Sequence, residues 1–330
     1  MSEKGPNKGK ELLAQSRRAG REITLGIEAQ IEACHQLSAK KRLAEVFLFA
    51  CLYAAGALFC LAGPHIYSLN LLGVLPMALA MNSLGILIHE GLHGLLAKGR
   101  ALNHICSFLC GLPLLISASA YRATHNDHHL DFGRKLDYGT YRQHLNNRYF
   151  VWAAYYAQLF FGTILYILLI PALALRTAST AKRLRIILEY CLIIAIAAAF
   201  VQSTSTETAL LLWAYPGLIA MMTTNIRGLA SHALGDLDDI YLSSRSIPTS
   251  RLVEILFLHE NYHLEHHLFP QVPSYHLKKV HQLVWDRLPR ALYARSYLAF
   301  LAAFLKASLS LNLACCGLVH PKEPFAPKAF

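Results

Sequence analysis

The sequence predicts an all-α integral membrane protein. It has about four transmembrane helices in two hairpins, interfacial or re-entrant helices, and a cytoplasmic helical cap. Three observations carry this reading. The 330 residues are 55% hydrophobic and only 15% charged, with a mean hydropathy of +0.34, too apolar for a soluble domain of this length. Several apolar runs approach the ~20 residues that a helix needs to cross a hydrocarbon core of roughly 30 Å. Histidines gather at the ends of those runs rather than inside them.

Residues 1–44 form a basic N-terminal segment. Lys4, Lys8, Lys10, Arg17, Arg18, Arg21, Lys40, Lys41 and Arg42 precede the first span, which holds this end in the cytoplasm. The first 22 residues are polar, so no cleavable signal peptide is expected. The stretch "ELLAQSRRAGREITLGIEAQIEACHQL" sets Leu12, Leu13, Ile23, Leu25, Ile27 and Ile31 among charges and is expected to lie on the membrane surface.

Residues 45–285 form the membrane domain. Val46–Ala62 and Leu69–Ile88 make the first hairpin, whose turn "GPHIYSLN" has no Lys or Arg, so the second run returns to the cytoplasm. Arg176, Lys182, Arg183 and Arg185 precede Ile186–Val201, and "QSTSTET" precedes Ala209–Thr224. The positive-inside rule therefore sends the first of these runs out and brings the second back. Phe150–Leu175 would then be re-entrant or interfacial, with Pro171 consistent with a break; a six-span arrangement is the alternative. Residues 286–330 complete the chain as an interfacial segment and tail; Leu298–Leu318 is a weaker run because Lys306 interrupts it.

Composition also narrows the function. The net charge of +11 flanks the membrane runs and shows no aromatic-interleaved stripe, which argues against nucleic acid. None of the eight cysteines forms a C-x-x-C pair, so they read as small packing residues. A transporter places ionisable groups mid-span, whereas these runs are nearly free of charge.

The histidines carry the chemistry. "HEGLH" supplies His89 and His93, "HNDHH" supplies His125, His128 and His129, and "HLEHH" supplies His263, His266 and His267; His232 follows the run Ala209–Thr224. Residues three or four apart share a helix face, so each box aims two or three imidazoles in one direction. Nine histidines exceed the three or four that one zinc takes and suit a two-metal centre of iron, copper, nickel or zinc. The zinc-protease motif H-E-x-x-H is matched at residues 89–93, but it leaves the other two boxes without a purpose. Acids between the ligands are candidates to hold the second ring nitrogens, Asp127 and Glu265 foremost among them. His259, four residues before His263, reads as a flanking residue, and His104, His144, His276 and His281 read as backbone-, water- or solvent-facing.

Together H-E-G-L-H-G (89–94), H-N-D-H-H (125–129), N-Y-H-L-E-H-H-L-F-P (261–270) and the trailing "QVPSYHLKKVH" (271–281) resemble the histidine boxes of the membrane fatty acid desaturase superfamily. The resemblance covers residues 45–285. It implies a non-haem centre of two iron ions ligated by His89, His93, His125, His128, His129, His232, His263, His266 and His267. It also implies an O₂-dependent enzyme that introduces a double bond into a fatty acyl chain. The alternative is a hydroxylase or ketolase acting on fatty acyl, sphingoid or carotenoid substrates. The chain has Ser231 where relatives often carry an acid before the histidine matching His232. Asn225 is a candidate to hold a metal-bound water, as an asparagine does in some relatives. The implied partners are the lipid bilayer, the acyl substrate and a separate electron donor, a ferredoxin or cytochrome b5, with its reductase.

Overall fold

The computed structural model describes residues 14, 18–63, 66–130, 145, 147–235 and 239–309; of residues 66, 67, 126, 127, 129, 130, 148, 308 and 309 it describes the backbone alone. A short helix α1 (Glu28–Cys34) leads into α2 (Ala39–Ala62), whose first turn is capped by the Ser38 hydroxyl accepting from the Lys41 amide. A 3₁₀ turn (Ile66–Gly73) reverses the chain into α3 (Val74–Leu92). The turn is tight because Gly56 and Gly73 meet. A Cβ on Gly56 would sit 2.4 Å from the Gly73 carbonyl oxygen.

Helix α3 is the centre of the bundle. Of the apolar window in Ser68–Leu92, 61% is buried inside the protein, against 17–28% for the other long apolar helices. Those others present Leu, Ile and Phe side chains outward, as a bilayer requires. Helix α4 (Arg100–Gly111) descends beside α3, bends by 100° and returns as α5 (Ala118–Leu130). Buried Asn103 secures the start of α4 by donating to the Gly91 carbonyl at 2.7 Å. Glu189 of α7 (Thr180–Ser203) secures the bend, accepting from Ser117 Oγ at 2.7 Å and from the Ser119 amide at 3.0 Å. His104 of α4 lies 2.9 Å from the same carboxylate, so a histidine read as water- or backbone-bound pairs with an acid instead.

Helix α6 (Arg148–Thr177) corrects one expectation. It runs for 30 residues without a break at Pro171. Ile170 and Ala174, on either side of the proline, are fully buried in a cluster with Ile88, Ala118 and Ala120, and this packing holds the helix together where one hydrogen bond is missing. Among the described residues, five helices are long and apolar enough to cross a membrane, or six if the bent α4–α5 pair counts as one span. The packing of α6 is unusual among them. Val151 and Tyr155 near its start share a cluster with Leu229 and Ala230 beside His232, while Ile170 shares one with Ile88 beside His89.

From Thr206 the chain climbs through a helical turn and a π-helical segment (Leu210–Ala214) into α8 (Tyr215–His232). The cap follows. Strand β1 (Arg245–Ser246) pairs in parallel with β2 (Leu292–Tyr293), and Ser246 also bridges to Tyr262. Between them lie α9 (Arg251–Leu256), α10 (His263–Leu268) and α11 (Leu277–Val284), and α12 (Tyr297–Leu309) packs back on α8.

The described part of the N-terminal amphipathic stretch is a second correction. Ala19, Ile23, Ile27, Ile31 and Cys34 are buried against Leu268, Phe269, Leu277, Val280, Val284 and Trp285. Ile23, Ile27 and Ile31 of the predicted stripe thus roof the segment that follows the third box, whereas Leu25 is exposed; Leu12 and Leu13 lie outside the described residues.

Candidate metal centre

Four chain segments deliver the histidines to one place. His89 lies in the last turn of α3, and His93 caps the helix, its amide donating to the Glu90 carbonyl at 3.1 Å. Helix α5 brings His125 and His128, α8 ends on His232, and the six-residue α10 carries His263, His266 and His267. Before α10, Leu258 and His259 both adopt left-handed backbone conformations, with φ of 49° and 60°. That double turn delivers Glu260, fully buried, to the underside of the cluster.

Two groups result. The nitrogens of His89, His93, His125 and His266 lie within 4.8 Å of one another, and so do those of His128, His232 and His267. His263 joins the second group, its Nε2 standing 3.0 Å from Nε2 of His232 and 3.2 Å from Nε2 of His267. The i, i+3 spacing divides the second and third boxes between groups: His125 serves the first and His128 the second, His266 the first and His263 the second. His129 and Asp127 lie outside the described side chains, and His144 outside the described residues. His259 and His276 stand outside both groups.

The outer nitrogens decide what the inner ones can do. His232 Nδ1 is 3.0 Å from the Ser243 carbonyl, and His263 Nδ1 is 3.0 Å from Glu260 Oε2. A carbonyl and a carboxylate only accept, so each Nδ1 carries the proton and each Nε2 presents a lone pair. Two lone pairs then face each other across 3.0 Å. Such a contact needs a cation between or beside the rings. An extra proton is a poor one, because burial pushes the His263 imidazole below its ordinary value. His93 is likewise driven down to about 3, chiefly by burial. Neutral imidazoles with inward lone pairs are what a metal ion takes, so the donor set fits a pair of metal ions.

Glu260 is the carboxylate that serves both groups. Its Oε1 lies 2.8 Å from His89 Nδ1 while Oε2 takes His263. Burial opposes its ionisation, but His89 and His263 hold the carboxyl well below the usual carboxylate range. Glu90 lies near His89 and Glu260 but is committed elsewhere. It pairs with buried Arg42 and accepts the Ser274 amide at 2.9 Å.

The acids and amide expected from sequence fall differently. Glu265 turns away from the box histidines to accept from Ser246 Oγ and from His281 Nδ1 at 2.6 Å, which pins α10 to β1 and α11. His281, read as a solvent- or backbone-facing histidine, is thereby a buried partner of that acid. Asn225 is likewise corrected. Its Oδ1 accepts from Thr163 Oγ1 at 2.6 Å and the Thr163 amide at 2.7 Å, and its Nδ2 donates to the Leu159 carbonyl at 3.3 Å, so it fastens α8 to α6. Glu260 and Arg42 were the residues that sequence reasoning undervalued. Spacing held a hint for Glu260, which stands three residues before His263; nothing local marked Arg42 as more than a topogenic charge.

A model of the fatty acid desaturase family matches residues 64–299. The chain belongs to that family. The match spans α3 to the start of α12 and takes in every histidine of both groups. No curated protein matches the chain. Membership makes the protein an oxidoreductase of the desaturase and hydroxylase type, built on membrane helices around a metal centre.

Proposed function

We propose that this desaturase-family protein is an O₂-dependent di-iron enzyme that introduces a double bond into a fatty acyl chain of a lipid or acyl thioester. The observation that carries the reading is the pair of histidine groups: ring nitrogens of His89, His93, His125 and His266 within 4.8 Å of one another, and those of His128, His232 and His267 likewise, with His263 Nε2 3.0 Å from His232 Nε2 and 3.2 Å from His267 Nε2. When bound, two irons supply the oxidising power to remove hydrogen from an unactivated methylene, which no side chain possesses.

The chain's own residues do the rest. His89, His93, His125 and His266 hold one ion, and His128, His232, His263 and His267 the other, with His129 as a further ligand. Glu260 keeps His89 and His263 in the tautomer that binds metal, and Ser243 does so for His232. The α3, α5, α6 and α8 walls exclude water around the acyl chain. The histidine end faces the cytoplasm, supported by Lys182, Arg183 and Arg185 at the start of α7. Electrons come from a separate ferredoxin or cytochrome b5 with its reductase, and a basic protein face speeds the encounter with such acidic donors.

Gas chromatography–mass spectrometry of total lipids from a bacterial host tests this, with His128→Ala beside wild type. A new unsaturated chain in wild type alone supports desaturation and locates the bond. A new hydroxy or keto product replaces desaturase by hydroxylase or ketolase on the same ligands. Purified protein that carries no iron defeats the proposal.

A further inference from the structure

Four buried polar residues, Ser243, Ser244, Arg245 and Ser246, form a strap between two of the helices that carry histidines. At one end the Ser243 carbonyl lies 3.0 Å from Nδ1 of His232, the last residue of α8. At the other, Ser246 Oγ donates to Glu265 of α10, and Ser246 bridges to Tyr262, the residue before His263. The next pair continues the join. The Ile247 amide donates to the Asn261 carbonyl at 2.8 Å, and Asn261 Nδ2 donates to the Ile247 carbonyl at 3.1 Å. The strap therefore sets His232 against His263, whose Nε2 atoms stand 3.0 Å apart.

Arg245 reaches back from the strap to the end of α8. Its guanidinium donates to the Ala230 carbonyl at 2.6 Å and to the Leu234 carbonyl at 3.4 Å, two residues to either side of His232. A helix leaves its last carbonyls without partners of its own, and a cation suits that end of the helix dipole. A planar fork spans two acceptors where an ammonium group reaches one. The turn it spans is strained. Leu234 holds a left-handed backbone, φ 59°, which a side chain with a Cβ keeps only where its surroundings over-determine it. The returning chain also passes very close: a Cβ on Gly235 would lie 2.6 Å from the Leu242 carbonyl oxygen. Arg245 itself is fixed, buried with its guanidinium 5.0 Å from the Phe300 ring, which packs with Leu229 and Ala230 of α8. The His232 ring, the Ser243 carbonyl, Arg245 and the Ala230 carbonyl thus close a small loop around one histidine.

We infer that Arg245 is a positioning residue for the second histidine group: by holding the backbone on both sides of His232 it keeps that ring's Nε2 aimed at the metal position. The inference rests on the two-metal reading of the centre and is independent of which lipid product forms. Charge and position pull in opposite directions here. Removing a fixed positive charge by itself favours a metal cation nearby, whereas freeing the ring weakens the site. The sign of the change in affinity therefore separates them.

Cobalt(II) tests it without turnover. The metal-free full chain in phosphatidylcholine nanodiscs is titrated with cobalt(II) against a competing chelator, and the visible spectrum of each bound ion is followed. Wild type is expected to bind two ions. Arg245→Gln is expected to lose about tenfold in affinity for one of them, with that ion's spectrum altered and the other ion unchanged. Arg245→Lys, which keeps the charge but reaches one carbonyl, is expected to lose about threefold for the same ion. It keeps the test decisive if Arg245→Gln does not fold. Tighter binding by Arg245→Gln, an equal loss at both ions, or full affinity in Arg245→Lys overturns the inference. Wild type that binds fewer than two ions overturns it together with the two-metal centre. The expected cobalt response without any new lipid product supports the inference and counts against the proposed activity alone.

Discussion

The carboxylate of Glu260 joins two histidines of different boxes: Oε1 lies 2.8 Å from His89 Nδ1 and Oε2 lies 3.0 Å from His263 Nδ1. His89 belongs to the first nitrogen group and His263 contacts the second. One fully buried side chain therefore sets the tautomer and ring orientation on both sides of the centre. Glu260→Gln can accept at one position only, and its amide would oppose the other N–H. Metal affinity is expected to fall about 10- to 100-fold, read as metal per chain by mass spectrometry after dialysis against a graded chelator. Retention equal to wild type would remove Glu260 from this role.

The two groups predict separable metal loss. His266 serves the first group and His267 the second, although they are adjacent on α10. Either His266→Ala or His267→Ala should lower the content from about two metal ions per chain to about one, because three or four donors are needed to hold each. If one substitution strips both ions, the groups are not independent sites.

Arg42 is 4% exposed and pairs with Glu90, which is completely buried. Arg42→Met would leave that carboxylate without its cation next to His89. Stability is expected to fall by about 3–5 kcal/mol, measured by unfolding in mixed micelles. Arg42→Met with Glu90→Gln should recover part of the loss, since the uncompensated charge is then gone. A harmless Arg42→Met would mean the charge acts only in topology.

Asn225 gives the opposite pattern. Asn225→Ala strands the Thr163 hydroxyl at the α6–α8 contact and should cost about 1–3 kcal/mol. Metal content should not change. Loss of metal with intact stability would return Asn225 to the role of holding a metal-bound water.

Acid should weaken the metal-stripped chain in a defined window. Burial holds His93 down at about 3 from an ordinary 6.5, and lowers His263 as well. Above pH 6.5 these rings are neutral in both folded and unfolded chains and contribute no pH dependence. As the pH falls below 6.5 the unfolded chain takes up protons that the folded chain refuses, so stability drops progressively towards pH 3. Thermal unfolding from pH 7.5 to 4.5 after chelation should show this decline, and prior loading with metal should delay it. A flat profile would mean that these rings are accessible to protons in the fold.

The sequence by itself determined the membrane class, the hairpin of α2 and α3, and the histidines that meet. All of these are written locally: apolar runs of the length of a bilayer, and i, i+3 and i+4 spacing that puts imidazoles on one helix face. Only the tertiary structure decided which histidine serves which group: along α5, His125 meets His89 and His93 while His128, one turn on, meets His232 and His267. It also decided the acids. Asp127 and Glu265 stood closest to the ligands along the chain, yet Glu260 holds two of them, since two left-handed residues before it turn the backbone towards His89. Likewise Ile23, Ile27 and Ile31 carry an apolar stripe that fits a membrane surface or a protein surface equally well. Periodicity specifies that such a face must be covered. What covers it depends on residues more than two hundred positions away, and local sequence holds no record of them.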